Sequence, residues 1–479
     1  MKPAGPGWAP DLVAGLTAAA VVLPKAMAYA TVAGLPVAVG LYTACVPMLI
    51  YALLGSSRVL SVSSTATLAI LVGAQLDSVV PDGDPGRLAV ATATLGVMGG
   101  GQLGRMFVHA AQAMGYFTAV LDPDPASPAG RVSHFHIQTD YLDEQGLAQM
   151  MQRCCAITTE FENVPAPALM TLGAQRSVSP GAKAVGIAQD RAKEKAHFVR
   201  CGVPCAPYAV LESAEQLAVV PDDLLPGILK TSRLGYDGKG QIRVQSRADL
   251  AAAWTQLKQV PCVLEKMLPL AAECSVIVAR GHDGTVVHYA PQLNLHRDGI
   301  LAVTQAYEGC VPADVASQAV QAAVSIAQGL DYVGVLCVEF FLLRANSPEA
   351  QQLGDLVVNE MAPRPHNSGH YTQNACDVSQ FELQVRAMAG LPLLQPRQHS
   401  PATMLNLLGD LWLRQGQVVT PAWDAVLALP GTHLHLYGKL QPKAGRKMGH
   451  LNITGATPEA VRAVALQAAA LLGIEAWSA

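Results

Sequence analysis

The chain opens on three long apolar runs, residues 12–33, 37–54 and 60–76, and Lys25 is the only charged side chain between residues 12 and 57. Each run is near the roughly 20 residues that a helix needs to cross a bilayer. Pro24, Pro36 and Pro47 interrupt them, as in broken transporter helices. Membrane insertion of residues 12–76 is therefore expected; buried helices of a soluble protein are the alternative. After a polar Pro/Asp/Gly turn at 81–87 the pattern changes. Short apolar runs at 95–98, 118–121 and 156–160 alternate with helical stretches at 106–114 and 182–201, which predicts α/β layers. From residue 204 onward, 227–230, 242–244, 335–343 and 356–358 read as strands. The linker 344–354 carries Asn346, Pro348 and Gly354, so the last two runs form a hairpin with a long loop.

With 479 residues the chain exceeds a single core of about 250–300 residues and should hold several domains. A net charge of −4 with 14% charged residues points away from nucleic acid and from a polybasic membrane contact. Ten cysteines without C-x-x-C or zinc-type Cys/His spacing fit reduced thiols in a cytosolic protein.

Three stretches carry chemistry. Gly99, Gly101 and Gly104 satisfy G-x-G-x-x-G between a strand and a helix, and the next strand ends at Asp122. That is where a dinucleotide fold puts its ribose-binding acid, so an NAD-dependent oxidoreductase is one reading. Glu160 ends another strand and is a candidate substrate contact, while Glu162 reads as the cap of the following turn. Lys230 ends strand 227–230 and leads into LGYDGKGQ (234–241), whose glycines and Lys239 suit a flap over phosphates; a plain hairpin is the alternative. VLEKML (263–268) suits a linker whose backbone pairs with an adenine edge, with Glu273 placed for a ribose hydroxyl. Finally, Glu339 sits inside one apolar strand and Asn359–Glu360 at the end of another. Carboxylates in such strands are costly unless paired or bound to metal, and this set suits Mg²⁺. A solvated strand end is the competing reading. Arg364, His366, Asn367 and His370 follow in a Pro/Gly loop of the kind that binds anions.

The order strand–Lys, glycine flap, spaced glutamates, then Glu339 and Asn359–Glu360 resembles the ATP-grasp ligases. Within them, GGGQLGRM (99–106), EFENV (160–164), GYDGKGQ (235–241), NLHRDGI (294–300), YVGVLCVE (332–339), NEMAPRPHNSGHYTQNACDVSQFE (359–382) and GRKMGHLN (445–452) resemble the carboxylases of aminoimidazole ribonucleotide. This likeness outweighs the dinucleotide motif and implies that no nicotinamide is used. It implies a Rossmann-like N-domain (95–195), an ATP-grasp body (196–395) and a small C-terminal β-rich domain (396–479), an α/β plus α+β fold behind a helical, membrane-like front segment (1–90). It implies ATP, Mg²⁺, bicarbonate and aminoimidazole ribonucleotide as ligands, a homodimer, and a cytoplasmic enzyme part.

The same resemblance distributes the residues. Glu339 and Glu360 hold Mg²⁺, with Asn359 assisting. Arg191, Lys230, Gly235, Gly238, Gly240, Gln241, Glu265, Lys266, Leu268, Glu273 and His296 surround the nucleotide. Arg364, His366 and Asn367 form the bicarbonate pocket, and Tyr236, Asp237 and Lys239 reach the imidazole nucleotide from the lid. Lys439 and Arg446 hold its ribose phosphate, and Gln102 and Glu160 complete that side. The first 90 residues instead resemble the start of the sulfate permease anion transporters, through DLVAGLT (11–17), VLPKAMAYA (22–30), GLPVAVGLY (34–42) and GSSRVLSV (55–62). They are foreign to the ligase, which implies a truncated transporter segment joined to an intact enzyme.

Overall fold

The computed structural model describes residues 93–235, 239–414 and 417–477, and ahead of them only 22–28, 30–31, 37–39 and 42, all helical. The chain divides into two units, Met1–Thr94 and Leu95–Ala479. The three expected membrane runs lie mostly outside the described residues, and the run 60–76 wholly so. Among the described residues, no helix is long and apolar enough to cross a membrane.

The second unit begins with a five-stranded parallel sheet: β1 (Thr94–Met98), β2 (Phe117–Leu121), β3 (Phe135–Ile137), β4 (Ala156–Thr159) and β5 (Ser177–Val178), in the order β3-β2-β1-β4-β5. Every residue of β1 and β4 is buried, as parallel strands covered on both faces require. Helix α1 (Gln102–Ala113) follows the glycine turn, and α2 (Glu144–Arg153) starts at Asp143, whose carboxylate accepts from the Gly146 N–H. The single helix expected over 182–201 is two helices. Asp190 breaks it, its side chain accepting from the Ala192 and Lys193 N–H groups to cap a fresh helix, α3 (Arg191–Arg200).

A four-stranded sheet follows, ordered β6-β9-β7-β8, from β6 (Tyr208–Leu211), β7 (Gly227–Thr231), β8 (Gln241–Val244) and β9 (Cys262–Lys266). Much of the stretch expected as a linker is thus strand β9, antiparallel to both β6 and β7. The largest sheet contains β10 (Leu270–Arg280), β11 (Val286–His288), β12 (Gln292–Arg297), β13 (Ile300–Ala306), β14 (Gly334–Leu343), β15 (Leu356–Ala362), β16 (Ala402–Leu408), a β17 (Thr432–Leu436) and a β18 (Lys447–Thr454). Its C-terminal strands are continuous with the rest, because β13 pairs with β16. Helix α4 (Ala313–Gly329) covers one face through Ala319, Ala323 and Ile326. Helix α5 (Gln380–Met388) lies between two layers. Leu383 and Ala387 pack on Ile277 and Val335 of the large sheet, while Phe381, Val385 and Met388 pack on Leu95 of the first sheet and Phe107 of α1. Gln384 bonds Thr158 and Ser179, so this helix fixes the parallel sheet against the body.

Candidate active site

The hairpin read from the sequence sets the floor of a cleft. Strands β14 and β15 pair antiparallel with Glu339 directly opposite Glu360. Burial, with the Glu360 charge beside it, pushes the Glu339 carboxyl up to about 7. Its Oε1 lies 3.0 Å from His366 Nε2. Burial and then Arg364 hold that imidazole well below its ordinary value, so the contact is a hydrogen bond from a neutral ring and not an ion pair. Glu360 meets Arg191 at 3.1 Å. The buried Oδ1 of Asn359 has no hydrogen-bond partner among the described residues. Two facing carboxylates plus an unsatisfied amide oxygen form a hard-oxygen set that fits Mg²⁺.

Around this floor a cleft of about 290 Å³ is lined by Arg191, Lys230, Gly235, Lys239, Gln241, Glu273, His296, Arg364 and Asn367, among others. His296 Nδ1 lies 2.8 Å from a Glu273 carboxylate oxygen; burial opposes the protonated ring, but Glu273 and the Glu339 charge raise its pKa overall. Tyr236, Asp237 and Gly238 fall outside the described residues, so the centre of the expected lid is not placed. Gly240 has φ +72°, a backbone conformation that favours glycine, and it anchors the lid's return to β8.

Beneath the cleft lies a charged triad that the sequence reading had only in part. Glu265 accepts Lys230 at 2.9 Å and meets Lys195 at 3.2 Å, with all three side chains under 10% exposed. Burial alone would raise the Glu265 carboxyl; Lys195 and Lys230 outweigh it and hold it at about 2. Its carboxylate is therefore spent on lysines. The Lys266 side chain pairs with Glu349, and Leu268 packs beside Leu343. Glu194 was missed as well. It accepts the Met361 N–H at 2.8 Å, next to Glu360, and burial pushes it up to about 8. No local signal marked Glu194 or Lys195, because charged residues on a short helix read as a solvated face. Glu162 does not cap a turn: it accepts Arg364 Nε at 2.7 Å and aims that guanidinium. His370 turns away from the pocket, stacking on His450 at 4.4 Å.

The glycine turn forms a separate cluster. Glu160 accepts the Gly101 and Gly104 N–H groups at 2.5 and 2.8 Å, and Asp122 accepts the Gly100 N–H and the Tyr141 hydroxyl, each at 2.7 Å. The N–H groups of the turn that a pyrophosphate would need are taken by the protein's own carboxylates. Lys439 reaches this turn, donating to Gln102 at 2.5 Å. Arg446 donates to Gln441 on its own loop.

Comparison with known proteins agrees with this geometry. Family models match for the ribonucleotide synthetase preATP-grasp domain (92–189), the ATP-grasp domain (196–381) and the phosphoribosylaminoimidazole carboxylase C-terminal domain (402–464). The N5-carboxyaminoimidazole ribonucleotide synthase of Brucella melitensis is 41% identical over 365 residues, 75% of this chain and 95% of that protein. The chain belongs to the N5-carboxyaminoimidazole ribonucleotide synthase family. Two crystal structures from the family illustrate the likeness. The Staphylococcus aureus enzyme complexed with ADP has a TM-score of 0.70 at 35% identity, covering 79% of this chain and 97% of that one. The Aspergillus clavatus enzyme with ADP and 5-aminoimidazole ribonucleotide has a TM-score of 0.70 at 30% identity, covering 80% and 98%. The sulfate permease family model matches residues 9–104.

Proposed function

We infer that this chain carries out the ATP-dependent carboxylation of 5-aminoimidazole ribonucleotide by bicarbonate, yielding N5-carboxyaminoimidazole ribonucleotide, ADP and phosphate in purine biosynthesis. The observation that carries the reading is the facing pair Glu339–Glu360 beside the unpartnered Asn359 oxygen, in a cleft shared with Lys230, Arg191 and Arg364. Phosphoryl transfer asks mainly for positioning and charge neutralisation, and this cleft offers both. Mg²⁺, held by Glu339, Glu360 and Asn359, would neutralise charge on the transferring phosphoryl oxygens.

The chain's residues do the rest. Lys230 and Arg191 hold ATP phosphates, and Glu273 and His296 hold the sugar side, under the lid of residues 235–241. Arg364, steered by Glu162, presents a guanidinium to the planar bicarbonate, with His366 and Asn367 completing the pocket. A bicarbonate oxygen attacks the γ-phosphorus and ADP leaves; the carboxyphosphate then loses phosphate as its carboxyl carbon bonds the exocyclic amine of the imidazole nucleotide. Tyr236, Asp237 and Lys239 close over this step and exclude water. Lys439 and Arg446 bind the ribose phosphate, with Gln102 and Glu160 at the same end.

A division at 95–195, 196–395 and 396–479, a homodimer, and a cytoplasmic enzyme part belong to the same reading. For residues 1–90, the sulfate permease likeness supports a transporter-derived segment joined to the enzyme. Alkaline extraction of membranes carrying the full chain tests its insertion, and release into the supernatant overturns it. The central assay is ADP release by the purified full chain, with and without aminoimidazole ribonucleotide and bicarbonate. Turnover that ignores both removes the assignment.

A further inference from the structure

Strand β14 alternates, so Cys337 shares the sheet face of Glu339 and lies one step below the cleft floor. Cys337 is fully buried, and the cleft lining stops at Glu339 and His366 above it. The Cys337 Sγ, a Glu339 carboxylate oxygen and an imidazole nitrogen of His366 lie within 4.8 Å of one another. We propose that Cys337, Glu339 and His366 form a binding site for a borderline-soft divalent cation of the zinc class, and that its occupation shuts the enzyme off.

The donor set argues for such an ion. A thiolate, an imidazole and a carboxylate are the ligands zinc takes, whereas Mg²⁺ has little use for sulfur or nitrogen. Three protein ligands leave a fourth position, here toward the cleft. Bonds of about 2.0–2.3 Å put tetrahedral ligand atoms about 3.5 Å apart, so side-chain shifts of about 1 Å close the site. The imidazole is also supported from behind. In the metal-free ring Nδ1 accepts from the Ser368 N–H at 3.4 Å; taking the metal on Nε2 moves the ring proton to Nδ1, where Ser368 Oγ, 3.0 Å away, accepts it. The metal displaces the Cys337 proton, which burial otherwise keeps on the thiol, and the resulting thiolate and the carboxylate together balance a divalent charge. Occupation would withdraw Glu339 from the Mg²⁺ pair and His366 from the bicarbonate pocket at once. Binding stands on the donor geometry alone; inhibition rests on the carboxylase reading.

The test adds Co²⁺ to the purified full chain without ATP, then Zn²⁺, and separately measures ADP release at fixed Mg²⁺ with increasing Zn²⁺. A thiolate-to-cobalt charge-transfer band is expected, displaced by Zn²⁺ and absent in Cys337→Ala. Zn²⁺ should inhibit turnover, with the half-inhibiting concentration raised at least tenfold by Cys337→Ala while turnover without zinc is retained. Cys337→Ser, closer in volume, gives the same readout if the alanine variant does not fold. Cobalt binding without the band, or equal zinc sensitivity in wild type and variant, overturns the proposal. If no carboxylation is detected, the carboxylase reading fails separately, and the cobalt band still decides the metal site.

Discussion

The glycine turn at 99–104 and the cleft between β14 and β7 look alike in sequence, since both pair glycine-rich loops with carboxylates. They differ in what their polar groups have left to bind. At the turn, Glu160 and Asp122 take the N–H groups that an incoming phosphate would need. In the cleft, two carboxylates face each other and an amide oxygen stays unpartnered. A buried polar atom without a partner costs about 1–3 kcal/mol, and one that opens onto a cleft can be satisfied by a ligand there. The lesson is that unsatisfied groups, more than glycine spacing, mark the nucleotide site.

Substitutions can break this comparison. Glu360→Gln removes one of the facing charges and should lower ATP turnover about 1,000-fold with the circular dichroism spectrum unchanged; activity near wild type would remove the metal role. Lys195→Met strips one cation from a buried triad, and denaturant unfolding should show a loss of about 3–5 kcal/mol. A loss below about 1 kcal/mol would mean that Glu265 is satisfied by Lys230 alone. At the turn, Glu160→Gln should raise KM for the imidazole nucleotide at least tenfold and leave that for ATP unchanged. Equal effects on both would merge the two regions into one site. Lys439→Ala should act the same way, more weakly, and an unmoved KM for the nucleotide substrate would take that lysine out of the site.

The smallest effect is one of pH. The folded Glu265 carboxyl, at about 2, lies below an unfolded glutamate at about 4.3. The unfolded chain takes up the proton first as pH falls, so the stabilisation is complete above about 5 and is lost on the way down toward 2. The stability gap between wild type and Glu265→Gln should therefore narrow across that window in denaturant titrations. A gap independent of pH would show that packing, not charge, separates the two.

Hydropathy along the chain was enough for the elements that carry the chemistry. An apolar run interrupted by Glu339, and another ending in Asn359–Glu360, read directly as paired strands bearing carboxylates, because alternation and turn residues are local properties. Lys230 at the end of β7 was legible for the same reason. Partners were not. Glu160 meets Gly101 across 59 positions and Arg364 meets Glu162 across 202, and only strand order and helix packing bring them together. The same holds for Glu194 and Lys195, which a short charged helix presents as surface until β9 and β15 bury them, and for Cys337, an apolar residue in sequence that lies beside Glu339 and His366 in space. Local composition decides which backbone forms; the burial of one charge against another is decided by segments far apart in the chain, so only the tertiary structure could assign it.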